Sequence, residues 1–199
     1  MGVFIDQAIR GKVDQTRHML GQMVAQRNGK ALSVIDKRKQ FEQIVLPHLD
    51  AAFNLARWLT GDDQDAQDVV QDATLRAFKF FDSYHGGNSR AWLLTIVRNT
   101  TYTWMRQNRQ QSLLSLEEDE IEDTENASLE GSLLQAADSQ QVREALAALP
   151  VEFREVIILH DVEGLAYKEI ALVINIPLGT VMSRLSRARS RLQQTLKER

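Results

Sequence analysis

The chain has 199 residues, with 24 Lys plus Arg against 27 Asp plus Glu, 43% apolar residues and no Cys. This is enough for one or two modest domains with proper cores, and it excludes disulfides, thiolate metal sites and thiol nucleophiles. A net charge of -3 excludes a protein that coats nucleic acid by charge alone. No run of apolar residues exceeds five, as at Ile170 to Ile174, far below the ~20 that span a bilayer. Asp6, Gln7 and Arg10 interrupt the early Val3, Phe4 and Ile5, so no signal-peptide core forms. The expectation is no membrane insertion and a reducing, cytoplasmic setting.

Residues 1–35 form an extension with a weak apolar pattern around Met19, Leu20, Met23 and Val24, and no role is assigned to it. From Phe41 to Leu59 apolar residues recur at three- and four-residue steps, which predicts a helix kinked at Pro47 and ended by Gly61 and Asp62. A second helix is expected over about 65–81 and a third over about 89–109, with the loop DSYHGGN between them. Residues 110–142 carry nine acidic residues and no basic one, the pattern of a solvated, flexible linker. Beyond it, helices are expected over 140–149, 151–162, 167–174 and 178–197, punctuated by Pro150, Gly164 and the triplet NIP. No strand pattern competes, so the fold class is all-α: two small helical domains, over 36–109 and 139–199, joined by an acidic linker at 110–138.

The short helix, tight turn and longer helix at the carboxy-terminal end match a helix-turn-helix, whose second helix enters the DNA major groove. At ~100° per residue, Val181, Leu185, Ala188 and Leu192 fall in one stripe about 60° wide. Thr180, Ser183, Arg184, Arg187 and Arg191 lie on the other side. These donors suit phosphates and guanine edges, and Gly179 near the helix start lets backbone approach a phosphate. A solvated basic face is the bland alternative.

On the second helix, Ala66, Val69, Val70, Ala73, Ala77 and Phe80 form the expected core stripe. The opposite face carries Asp65, Asp68, Gln71 and Asp72 around Leu75 and Phe78, a pattern that suits a basic, partly apolar protein partner. Residues 78–104 hold seven of the 13 aromatics, most of them expected in the core. Tyr84 and His85 sit in the loop, where burial is least expected. Arg90, Arg98, Arg106 and Arg109 interleave with the aromatics, and cation plus aromatic is the composition that holds unpaired bases.

The segments LARWLTGDDQDAQDVVQDATLRAFKFFDSY, SRAWLLTIVRN, LPVEFREVIILHDVEGLAYKEIA and IPLGTVMSRLSRARSRL together resemble the extracytoplasmic-function group of bacterial RNA polymerase sigma factors, in the family's order. The extension at 1–35 departs from the pattern. The resemblance implies region 2 and region 4 modules and promoter-specific transcription initiation. It implies that Asp65, Asp68, Gln71, Asp72, Leu75 and Arg76 grip the clamp helices of the largest core polymerase subunit, and that region 4 meets the flap of the second-largest. Tyr84, His85, Asn88, Arg90, Trp92, Arg98, Asn99, Arg106 and Arg109 fall in the part that melts the minus ten element and captures a flipped base. Gly179, Thr180, Ser183, Arg184, Arg187 and Arg191 fall where the upstream element is read as duplex. Promoter DNA and an anti-sigma factor are the further implied partners, and the acidic linker could imitate nucleic acid in the polymerase channel.

The alternative is a helix-turn-helix regulator that acts without being a polymerase subunit. No enzyme motif is present: there is no phosphate-binding glycine loop and no nucleophile elbow, and His18, His48, His85 and His160 are too dispersed for a metal motif. No catalytic residue, metal or cofactor is therefore expected. Asp62 and Asp63 read as helix N-terminal charges.

Overall fold

The structure is a computed structural model that describes residues 31–115 and 133–197. The expected extension and the centre of the acidic linker lie largely outside the described residues. Among the described residues there are only helices and turns, with no strand.

Helix α1 spans Ala31–Val45 and α2 spans Leu49–Thr60. The single kinked helix expected here is in fact two helices, separated by a 3₁₀ turn over Leu46–His48. Pro47 supplies no N–H and its ring crowds the preceding turn, so the α-helical ladder stops at Val45. Gly61 ends α2 with φ 85° while its N–H donates to Arg57 O at 2.9 Å, a left-handed cap that glycine adopts without strain. Asp62 then starts α3, Asp63–Lys79, by accepting from the Gln64 and Asp65 N–H groups at 2.7 and 2.9 Å.

The bundle core follows from small residues on facing helices. Ala52, Leu55, Ala56 and Leu59 of α2 and Ala66, Val69, Ala73 and Ala77 of α3 pack with Leu93, Leu94 and Val97 of α4, Ser89–Ser115. Phe41 of α1 closes one side. One expected core position is corrected. Phe80 is 54% exposed, because α3 stops at Lys79 and the chain turns through a 3₁₀ segment over Phe81–Ser83, so helical periodicity no longer sets its direction. Phe81 is buried instead, and Phe78, expected to face outward, packs edge-on against Phe41 at 5.2 Å. Helix α1 covers a face that α3 alone would leave open.

The second half comprises α5, Leu133–Ala147, α6, Val151–Ile157, which continues as a π-helical turn over Ile158–Val162, α7, Tyr167–Ile174, and α8, Leu178–Lys197. Helix α4 runs past the expected Arg109, and α5 begins ahead of the expected Gln140. Asn175 ends α7 in the left-handed region, φ 52°, with its N–H on Ala171 O, a conformation that asparagine tolerates better than most residues. This sharp stop, with Ile176 and Pro177 after it, sets α8 at an angle to α7. Ile158, Leu159, Leu165, Ile170 and Val173 pack with Val181, Leu185 and Ala188. The two halves also touch each other: α2 meets α6, and α4 meets α7.

Candidate functional site

Helix α8 has the two faces expected of it. Val181, Leu185 and Ala188 are buried, while Gly179, Ser183, Arg187 and Arg191 are exposed and Thr180 and Arg184 half-buried. The basic set is not uniform. Arg187 stands in solvent, whereas the Arg191 guanidinium lies 4.8 Å from the Phe153 ring centre, and Arg184 is close enough to bias the charge of Glu155 on α6. Ser183 Oγ donates to Thr180 O at 3.1 Å. Arg189, on the neighbouring surface, pairs with Asp161.

On α3, Asp68, Asp72 and Arg76 are exposed, and Asp65, Gln71 and Leu75 are half-buried. Leu75 packs partly against the core, so it is less outward than the wheel suggests. Arg76 and Asp72 form an ion pair at 2.9 Å. Partial burial, then the negative charges of Asp62 and Asp68, push the Asp65 carboxyl above its ordinary value. The face therefore concentrates negative charge.

The loop between α3 and α4 is more organised than its composition suggests. Gly86 and Gly87 both take positive φ, 92° and 94°, and Tyr84 Oη donates to Gly87 O at 2.8 Å. The Tyr84 ring stacks on Phe81 and leans on Trp92 at 5.1 Å, so it is half-buried where exposure was expected. His85 is exposed. Asn88 caps α4: its Oδ1 accepts from Ala91 N–H at 3.0 Å. His48 Nε2 and Ser89 Oγ are in hydrogen-bond contact at 2.9 Å beside it.

Further along α4, the candidate arginines divide into two groups. Asn99, Arg106 and Arg109 are exposed. Arg90 and Arg98 instead meet carboxylates from the second half of the chain: Arg90 Nη2 donates to Glu163, and Arg98 Nε donates to Glu155 Oε1 at 2.7 Å. The Arg98 guanidinium also lies 4.5 Å from the Tyr102 ring centre. Asn88 Nδ2 donates to Glu169, and Asn54 Nδ2 of α2 to Glu163 Oε1 at 3.2 Å. Arg154 of α6 donates to Trp58 O of α2 at 2.8 Å.

Sequence reasoning missed Glu155, Glu163, Glu169, Asn54 and Arg154. A Glu inside VEFREVIILH is the one available signal, since charge at a buried helical position needs a partner. Glu155 is wholly buried. Burial raises its pKa, and the charge and hydrogen bond of Arg98 act in the opposite direction. Burial, then Glu155, pushes the Tyr102 hydroxyl up to about 12, so at neutral pH it is a hydrogen-bond donor. Among the described residues no cluster of His, Cys, Asp or Glu could hold a metal, and no helix is long and apolar enough to cross a membrane.

Two family models match in order: Sigma-70 region 2 over residues 44–111, and Sigma-70, region 4 over residues 139–192. The ECF RNA polymerase sigma factor SigE of Mycolicibacterium smegmatis is 33% identical over 160 residues, 78% of this chain, and the chain spans 61% of that relative. The ECF sigma factor EcfG of Rhodopseudomonas palustris is 35% identical over 69% of this chain and 75% of its own length. The sigma factor RpoE of Bartonella quintana, solved with the anti-sigma factor NepR, superposes with a TM-score of 0.68 at 36% identity, covering 80% of this chain and 98% of that one. These matches do not favour a regulator that acts apart from polymerase. With both modules matched in sequence order and an α8 whose buried and basic faces suit duplex DNA, the chain belongs to the ECF group of RNA polymerase sigma factors, which direct transcription initiation.

Proposed function

We propose that residues 36–109 and 139–199 divide promoter recognition between them, with residues 110–138 as an acidic linker. Helix α8 reads the upstream element through Arg187 and Ser183, supported by Gly179, Thr180, Arg184 and Arg191. The loop and α4, through His85, Asn88, Arg90, Arg98, Asn99, Arg106 and Arg109, meet the minus ten element as it opens. Tyr84 and Trp92 act there as the packed floor of the loop. The acidic face of α3 docks on the clamp helices of core polymerase, and region 4 meets the flap. This work takes place in the bacterial cytoplasm.

The observation that carries the reading is the exposure of Arg187 on the side of α8 away from the buried Val181, Leu185 and Ala188 stripe, the geometry that lets a helix be packed and read DNA at once. An anti-sigma factor is a further partner, by analogy with the Bartonella quintana protein, which was solved with one. Transcription with core polymerase on duplex and pre-melted templates tests the division: Arg187→Ala should weaken upstream recognition on both, whereas a His85→Ala, Asn88→Ala variant should be rescued by the bubble.

A further inference from the structure

Three carboxylates from the second half of the chain meet three groups of the first half that are proposed above to face opened DNA. Glu155 takes Arg98 through both oxygens, at 2.7 and 3.4 Å. Glu163 takes Arg90, and its other oxygen takes Asn54. Glu169 takes Asn88 while also accepting from Ala166 N–H at 2.8 Å. The Glu155 and Glu163 contacts are not solvated rim contacts, since Glu155 is 0% and Glu163 4% exposed, whereas Glu169 meets Asn88 at an exposed edge. A carboxylate fits the guanidinium fork much as a phosphate does, with paired oxygens and negative charge. Backbone joins in at the same contact, where Arg154 reaches Trp58 O.

We propose that this contact is an autoinhibitory clasp, in which Glu155, Glu163 and Glu169 occupy the positions that strand phosphates would take on Asn88, Arg90 and Arg98. Residues 88–98 then hold either the second half of their own chain or nucleic acid, and the modules must part before a strand is captured. The inference rests on the reading of residues 82–109 as DNA-facing. It adds that the free protein is held shut by its own anions. Because Glu155 and Glu163 are buried, salt should loosen the clasp less than it loosens an exposed protein–DNA contact.

The test uses the full chain, which contains no Cys, with donor and acceptor dyes on Lys79→Cys of α3 and Ser190→Cys of α8, both exposed positions. The double variant Glu163→Gln, Glu169→Gln keeps side-chain size and removes charge. It should shift energy transfer toward longer separations, and at about 50 mM salt it should bind a single-stranded oligonucleotide about tenfold more tightly than the parent. If circular dichroism shows that the double variant does not fold, Glu163→Gln alone carries the test, with smaller shifts in the same directions. A folded variant with unchanged dye separation overturns the clasp. A variant that opens without binding the oligonucleotide more tightly overturns occlusion and, separately, the DNA-facing reading of residues 88–98, while leaving the closed packing in place.

Discussion

Glu155 of α6, with no solvent exposure, accepts from Arg98 of α4 at 2.7 Å across 57 residues of chain. A buried carboxylate with its partner removed is costly, whereas the pair together is close to neutral. Arg98→Ala should therefore destabilise the packed form by ~3 kcal/mol, and Arg98→Met with Glu155→Met should recover most of that loss. Denaturant unfolding of the single and double variants checks this.

The same pair predicts a pH dependence. Glu155 is faced by Arg98 and Tyr102 on α4 and by Arg184 on α8. Burial outweighs these groups, so the folded-state pKa lies above the ordinary 4.5. The folded form then binds this proton more tightly than the unfolded form does. The Glu155 contribution is fully present below the ordinary value and is lost as pH rises through the raised one. Melting measured upward from about pH 4.5 should show this loss, and Glu155→Gln should flatten that part of the profile.

Asp62 caps α3 with two backbone N–H groups. Asp62→Ala should cost ~1 kcal/mol, a fall of about 2 to 4 °C in melting temperature for a chain of this size. It should also lower the Asp65 pKa, since Asp62 is one of the charges that raise it. Calorimetry and carboxyl NMR titration measure the two effects.

On the α3 face, Asp68→Arg offers the cleanest test of polymerase docking, because Asp68 is exposed and carries no core packing. It should weaken core polymerase binding about tenfold, chiefly through a slower association that depends on salt. Leu75→Glu should weaken binding too, but with a stability loss of ~1 kcal/mol because Leu75 is half-buried. Stopped-flow association and circular dichroism separate the two.

Local chemistry made much of this structure legible in the sequence. The period of Val181, Leu185 and Ala188 located the buried face of α8, and Gly61 with Asp62 marked the boundary between α2 and α3. Phe80 and Phe78 show where the pattern misled: helical periodicity continued past Lys79 gives Phe80 a direction it no longer follows, while Phe78, still within α3, is covered by Phe41 of α1. Tyr84 gained its cover from Phe81 and Trp92, a packing that loop composition does not specify. The pairing of Arg90 and Arg98 with Glu163 and Glu155 is tertiary, and no local spacing selects one carboxylate over another at that sequence distance.

The most direct test of the central claim is transcription reconstituted from core RNA polymerase and the purified full chain on a library of duplex genomic fragments, with the transcripts sequenced. The account predicts new transcripts with defined start sites that share upstream and downstream elements, appearing only when the chain is added and reduced with Asp68→Arg at limiting chain concentration. Tight, sequence-specific duplex binding by the chain alone, with no change in the start sites core polymerase uses, would contradict it.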